Sequence, residues 1–125
     1  MLKALGKGVV AVLVLVTATT ATTALDARKL RPQAAAAIKR GQVLATARCG
    51  VCHGVTANAP SPNAEAPPWD DIANRPGTTH VTLRAFLRDS HNYPEAMNFR
   101  IKPAQVDDIA RYMITLQRKG YKPSI

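Results

Sequence analysis

Residues 49–53 read Cys49-Gly50-Val51-Cys52-His53, and this stretch decides how the rest of the chain is read. Two thiols separated by two residues sit one short turn apart. At that spacing they add across the two vinyl groups of a haem. The residue after the second thiol is then placed under the iron, where an imidazole nitrogen becomes the proximal ligand. The pattern predicts one haem c, attached covalently through Cys49 and Cys52, with His53 as a metal ligand. Two other readings fit less well. A redox Cys-x-x-Cys pair belongs in a βαβ setting, and no strand pattern occurs along the chain. A structural zinc site takes four ligands, so these three residues would need a fourth from His80 or His91, with no second pair to match the first.

The whole chain has 125 residues, room for one compact domain and not two. Its only two cysteines are those of the motif, and a bridge between them would close almost no loop, which excludes a disulfide scaffold. With 46% hydrophobic and 20% charged residues, the composition is that of a globular chain and not a disordered one. Aromatic residues make up only 5%, few for a core of this size, so something besides side chains is expected to help fill it. The net charge is +9. The basic residues are scattered and not clustered, which argues against nucleic acid as a partner.

The N-terminal stretch is set aside from the fold. Lys3 and Lys7 precede an unbroken apolar run, Val9 to Val16, and a small-residue tract follows, Thr17 to Ala24. Basic, then apolar, then small is the layout of a secretory signal peptide. Cleavage is expected after Ala24, with Ala21 and Ala27 as alternatives. An uncleaved membrane anchor is the competing reading, but the purely apolar part is short for a comfortable span. Cleavage would leave a net charge of +7, because only Lys3 and Lys7 are lost.

Downstream, Leu25 to Arg31 reads as a polar arm, and Pro32 suits the first turn of a helix. From Ala34 a helical pattern runs into Cys49, with Ile38, Val43, Leu44 and Ala47 as its apolar positions and Gly41 inside it. Residues 55–68 are rich in Pro, Asn, Ala and Ser and predict a long irregular loop. One helical turn is expected over Trp69 to Ala73, broken by Pro76 and Gly77. Thr78 or Thr79 then caps a helix to about Arg88, with Val81, Leu83, Phe86 and Leu87 apolar. Residues 89–102 carry no period. The last helix opens at Lys102-Pro103, shows Val106, Ile109, Ala110, Met113 and Leu116 on one face, and stops at Gly120.

The haem motif and the stretches around it resemble the class I monohaem cytochromes c, of the small bacterial periplasmic kind. The residues that carry the resemblance are Ile38-Lys39-Arg40-Gly41 leading into Cys49–His53, the loop from Ser61-Pro62-Asn63 to Pro67-Pro68-Trp69, the stretch Tyr93-Pro94-Glu95-Ala96-Met97-Asn98-Phe99, and Val106 to Leu116 with Tyr112. The resemblance implies an all-α fold, three to four helices wrapped around one covalent haem, with long loops. The expected organisation is a signal peptide over 1–24, an arm over 25–33, the cytochrome domain over 34–120 and a tail over 121–125. It also implies that a loop proline, Pro67 or Pro68, accepts the second ring N–H of His53. Trp69 would lie against the haem edge or donate to a propionate, unless it is an ordinary anchoring residue. Gly41 and Tyr112 match the family's close crossing of first and last helices.

The sixth iron ligand is expected to be Met97, which lies in an aperiodic loop and resembles the family's ligand methionine. Met113 falls on the apolar face of a helix and reads as core. His91 is the competitor in the same loop. The family usually has Pro directly after the ligand methionine, and here Asn98 stands there. Together these readings give a periplasmic electron carrier and not an enzyme, since a single haem with both axial positions filled by protein leaves no position for substrate. The basic surface suits redox partners with an acidic docking patch. A cleaved chain would have no stable membrane insertion. The alternatives are a tightly bound haem subunit of a periplasmic dehydrogenase or oxidase complex, and a haem-based ligand-binding sensor.

Overall fold

The computed structural model describes residues 9–89 and 100–124. It contains four helices, α1 (Val9–Arg48), α2 (Trp69–Ala73), α3 (His80–Asp89) and α4 (Pro103–Ile114), and no strand among the described residues. The all-α class expected from the sequence is the class observed. The chain divides into two compact units, Met1–Ala35 and Ala36–Ile125.

In the first unit the described backbone is helical throughout and Pro32 lies inside α1. Residues 25–33, expected as an irregular arm with Pro32 opening a helix, are therefore helical instead. No Gly or Pro interrupts residues 9–31, so nothing stops the helix before Pro32. At Pro32 it loses one backbone donor. Among the described residues, no helix is long and apolar enough to cross a membrane.

The second unit holds the core. Ala45, Cys49, Val55, Trp69, Ala73, Leu83, Leu87, Val106, Ile109, Ala110, Tyr112, Met113 and Leu116 form one buried cluster. The starts of α3 and α4 have local causes. Thr79 opens α3: its hydroxyl accepts the Thr82 N–H at 3.1 Å while its own N–H donates to the Thr82 hydroxyl at 2.9 Å. Pro103 opens α4, where its missing donor costs nothing, and the Lys102 N–H is taken by the Gln105 side chain at 3.2 Å. Leu83 and Leu87 bury the inner face of α3, which packs on α4, whereas Val81 and Phe86 are exposed. Helix α4 ends at Ile114, short of the stop expected at Gly120, because Thr115, Leu116 and Gln117 close the last turn with three-residue hydrogen bonds.

The downstream end of α1 meets α4 at a close crossing. A Cβ placed on Gly41 would lie 2.0 Å from the Asp108 carbonyl oxygen and 2.9 Å from the Tyr112 Cβ. The face turned inward is the row Ala37, Gly41, Ala45 and Cys49, four residues apart, whereas Val43 is 58% exposed. Small residues win this face because the backbones approach too closely for larger ones. Arg40 locks the crossing with two bonds to the Asp108 carboxylate, 2.7 and 2.9 Å. Gly41→Ala should therefore lower stability by about 3 kcal/mol, the upper end for an overpacked core. Urea unfolding measures this, and a loss below about 0.5 kcal/mol would contradict so tight a crossing.

Candidate haem-binding site

The chain turns as soon as α1 ends. Cys49 N–H donates to the Ala45 carbonyl at 2.9 Å, and the Cys49 carbonyl then accepts both the Cys52 N–H (3.1 Å) and the His53 N–H (2.8 Å). This tight turn brings the two thiols and the imidazole onto one short segment. Cys49 is buried in the core, and Cys52 is exposed beside an exposed Val51. Burial pushes the Cys49 thiol up to about 11.

His53 Nδ1 lies 2.8 Å from the Pro67 carbonyl oxygen. A carbonyl only accepts, so Nδ1 carries a proton and donates it; in the neutral ring the lone pair is then on Nε2. That is the ring state a metal-ligating imidazole requires, with the other nitrogen fixed by a backbone acceptor. Of the two prolines expected as acceptor, the structure uses Pro67. The Pro68 carbonyl is occupied in the first turn of α2, by Asp71 N–H at 3.1 Å and Ile72 N–H at 3.3 Å.

The loop carrying Pro67 is closed at its neck. Trp69 N–H donates to the Gly54 carbonyl at 2.8 Å, and Gly54 N–H donates to the Ser61 hydroxyl at 3.0 Å. A Cβ on Gly54 would lie 2.0 Å from the Ala59 carbonyl oxygen, so only glycine fits beside the histidine. The Trp69 ring is 3% exposed and sits between two others, with centroids 6.4 Å from His53 and 6.3 Å from Tyr112. Tyr112 is tied to the same loop, its hydroxyl donating to the Val55 carbonyl at 2.9 Å, and burial raises its own pKa.

Two buried carboxylates in α2 hold the surroundings. Asp70 Oδ2 accepts the Asn58 N–H at 2.5 Å and pairs with Arg118 Nη2 at 2.8 Å. Asp71 accepts the Tyr121 hydroxyl at 2.7 Å and the Ser124 hydroxyl, which fastens the chain beyond α4 onto α2. The Ser124 and Tyr121 hydroxyls hold the Asp71 carboxyl below its ordinary range. Sequence reading singled out none of Gly54, Asn58, Asp70 or Asp71, and took Arg118 only for a basic residue closing the last helix. Gly54, next to the histidine of the motif, carried the one available signal.

The cytochrome c family model matches residues 38–117. The chain belongs to the cytochrome c family. No curated protein and no solved structure matches it. The cytochrome binds haem c covalently through Cys49 and Cys52, and it is a haem-binding electron-transfer protein. The residues present fit that group: two thiols at the attachment spacing, and an imidazole whose Nε2 is free to ligate.

The other predicted ligand candidates fall into two sets. Met113 is buried in the core cluster, as its helical position indicated. His80 is taken up between α3 and α4, its Nε2 3.3 Å from Asp107, where Arg84 and Arg111 also converge. Among the described residues, no group of three or more His, Cys, Asp or Glu side chains could hold a metal ion, so the zinc reading gains no fourth ligand there. Met97, His91 and the stretch Tyr93 to Phe99 lie outside the described residues.

The low Asp71 pKa has a consequence for acid stability. A carboxyl whose folded pKa lies below its unfolded value adds stability that is fully present above about pH 4 and is lost as pH falls through the folded value. The combined change Tyr121→Phe with Ser124→Ala removes both hydroxyl donors. It should cost about 2 kcal/mol at pH 7 and less near pH 3, so that the two unfolding curves converge in acid. Equal losses at both pH values would contradict the assignment.

Proposed function

We propose that this cytochrome is a periplasmic single-electron carrier, with His53 and Met97 as the axial ligands and no enzymatic activity of its own. The observation that carries the proximal half of this reading is the His53–Pro67 hydrogen bond, which commits Nδ1 and leaves Nε2 for iron. Haem, when bound, supplies a one-electron ferric/ferrous couple. The chain supplies the rest. The Cys49–His53 turn holds the attachment points, Pro67 orients the imidazole, and Trp69 walls the site on the histidine side. For Trp69 this supports a place against the haem edge.

Met97 is the thioether best placed by sequence, since Met113 is buried in the core between helices. Export follows from the basic–apolar–small order of residues 1–24, which supports a periplasmic location. Val51, between the two cysteines, is 74% exposed, so the turn of the motif reaches the surface. A chain of +9, or +7 after cleavage, suits a partner with an acidic patch.

Met97→Ala should open the sixth position, shift the ferric spectrum toward high spin and lower the reduction potential. Met97→His should restore low spin and keep the potential low, because imidazole favours ferric iron relative to a thioether. Met113→Leu should leave the spectrum unchanged and cost under about 1.5 kcal/mol. Unchanged spectra in Met97→Ala, with an opened iron in His91→Ala, would make the site bis-histidine and overturn the Met97 assignment.

A further inference from the structure

Arg118 stands four residues beyond α4 and far from the motif in sequence, yet it reaches the loop that carries Pro67. One guanidinium nitrogen, Nη1, donates to Asn58 Oδ1 at 2.7 Å, and the other, Nη2, to Asp70 Oδ2 at 2.8 Å. The same Asp70 oxygen accepts the Asn58 backbone N–H at 2.5 Å. Three groups therefore close on one another, and Asn58 is held in the left-handed region at φ +60. Arg118 is itself positioned: its backbone N–H donates to Asn74 Oδ1 at 2.7 Å, and its guanidinium lies 4.6 Å from the centre of the Tyr121 ring. Asp70 is 3% exposed whereas the Arg118 side chain is 36% exposed, so the carboxylate end of the pairing is buried and its guanidinium end reaches solvent; a buried carboxylate that loses this partner loses a charge-assisted bond.

The clamp joins both sides of the proximal loop. Asn58 lies on its outgoing arm, five residues after His53. Asp70 follows Trp69, whose N–H closes the neck on Gly54. Between these ties the loop presents the Pro67 carbonyl to His53 Nδ1. We infer that the two-pronged contact of Arg118 with Asn58 and Asp70 is a positioning device that sets the strength of the His53–Pro67 hydrogen bond, and through it the reduction potential. The inference rests on the haem reading of the motif. Its chemical link is that an imidazole donating a firm Nδ1–H bond is a stronger electron donor through Nε2, which favours ferric iron. Loosening the clamp should weaken that bond and raise the potential. The fork geometry matters here and not the charge alone, because a lysine ammonium at this place is a single point and cannot span both acceptors in the same way.

The test uses the holoprotein with Arg118→Lys, Arg118→Ala and Tyr121→Phe. Tyr121→Phe keeps the ring under Arg118 but removes the bond to Asp71, so it loosens the same chain segment without touching the proximal loop. Three quantities are measured: covalent haem content, exchange of the His53 Nδ1 proton by NMR in the ferrous state, and the reduction potential. Both Arg118 variants are expected to show faster exchange and a raised potential, with haem content unchanged. Tyr121→Phe is expected to lose thermal stability with exchange and potential as in the parent protein. Parent values in Arg118→Lys would leave charge as the whole role and overturn the inference. So would parent values in both Arg118 variants, or the same changes in Tyr121→Phe. Absence of covalent haem from the parent protein would instead overturn the underlying reading.

Discussion

The donation of the His53 Nδ1 proton to the Pro67 carbonyl is the contact around which the domain is arranged. A ligand imidazole must present one nitrogen and hold the other still, and a backbone carbonyl does this without adding charge. The carbonyl must itself be delivered by fourteen residues of loop that have no regular structure. Gly54–Trp69 closes that loop at the neck, Ser61 ties its inside to Gly54, and Tyr112 anchors it to α4 through Val55. Asp70 and Arg118 hold its outer arm.

These ties make the loop a product of tertiary structure. Its own residues, rich in Pro, Ala and Asn, bury little apolar surface, so its conformation is paid for by polar groups from α2, α4 and the chain beyond α4. The close crossing at Gly41 is part of the same support. It brings the downstream half of α1 against α4, and it is the Tyr112 backbone position, beside Gly41, that sends the tyrosine hydroxyl to Val55. The motif then follows directly from the end of α1, so the thiols and the loop that faces them are set by one helix pair.

The sequence was most readable where chemistry or stereochemistry allows few answers. The Cys49–His53 spacing named the cofactor, Trp69 to Ala73 read as a single turn, Thr79 and Pro103 marked two helix starts, and Gly41 with Tyr112 marked the crossing. It misled where apolarity was weighed without distance. Val43 looked like core and is exposed, because the face against α4 belongs to Ala37, Gly41 and Ala45. Pro32 looked like a beginning and lies inside a helix, where it removes one backbone donor without ending the element. The acceptor could not be chosen between Pro67 and Pro68, because that choice depends on which carbonyl α2 consumes in its first turn. The clamp of Asn58, Asp70 and Arg118 was invisible, as its members are up to sixty residues apart and each is ordinary alone.

A domain of this kind gives electron transfer an imidazole oriented beside the two attachment thiols and a net positive charge. All of these lose their meaning if the two thiols are not joined to haem. The most direct measurement is mass spectrometry of the purified protein, intact and after tryptic cleavage at Arg48. The account predicts an intact mass raised by one haem, with the added mass confined to the peptide that begins at Cys49 and retained through denaturation. A chain of unmodified mass, or haem that leaves when the protein unfolds, would contradict it.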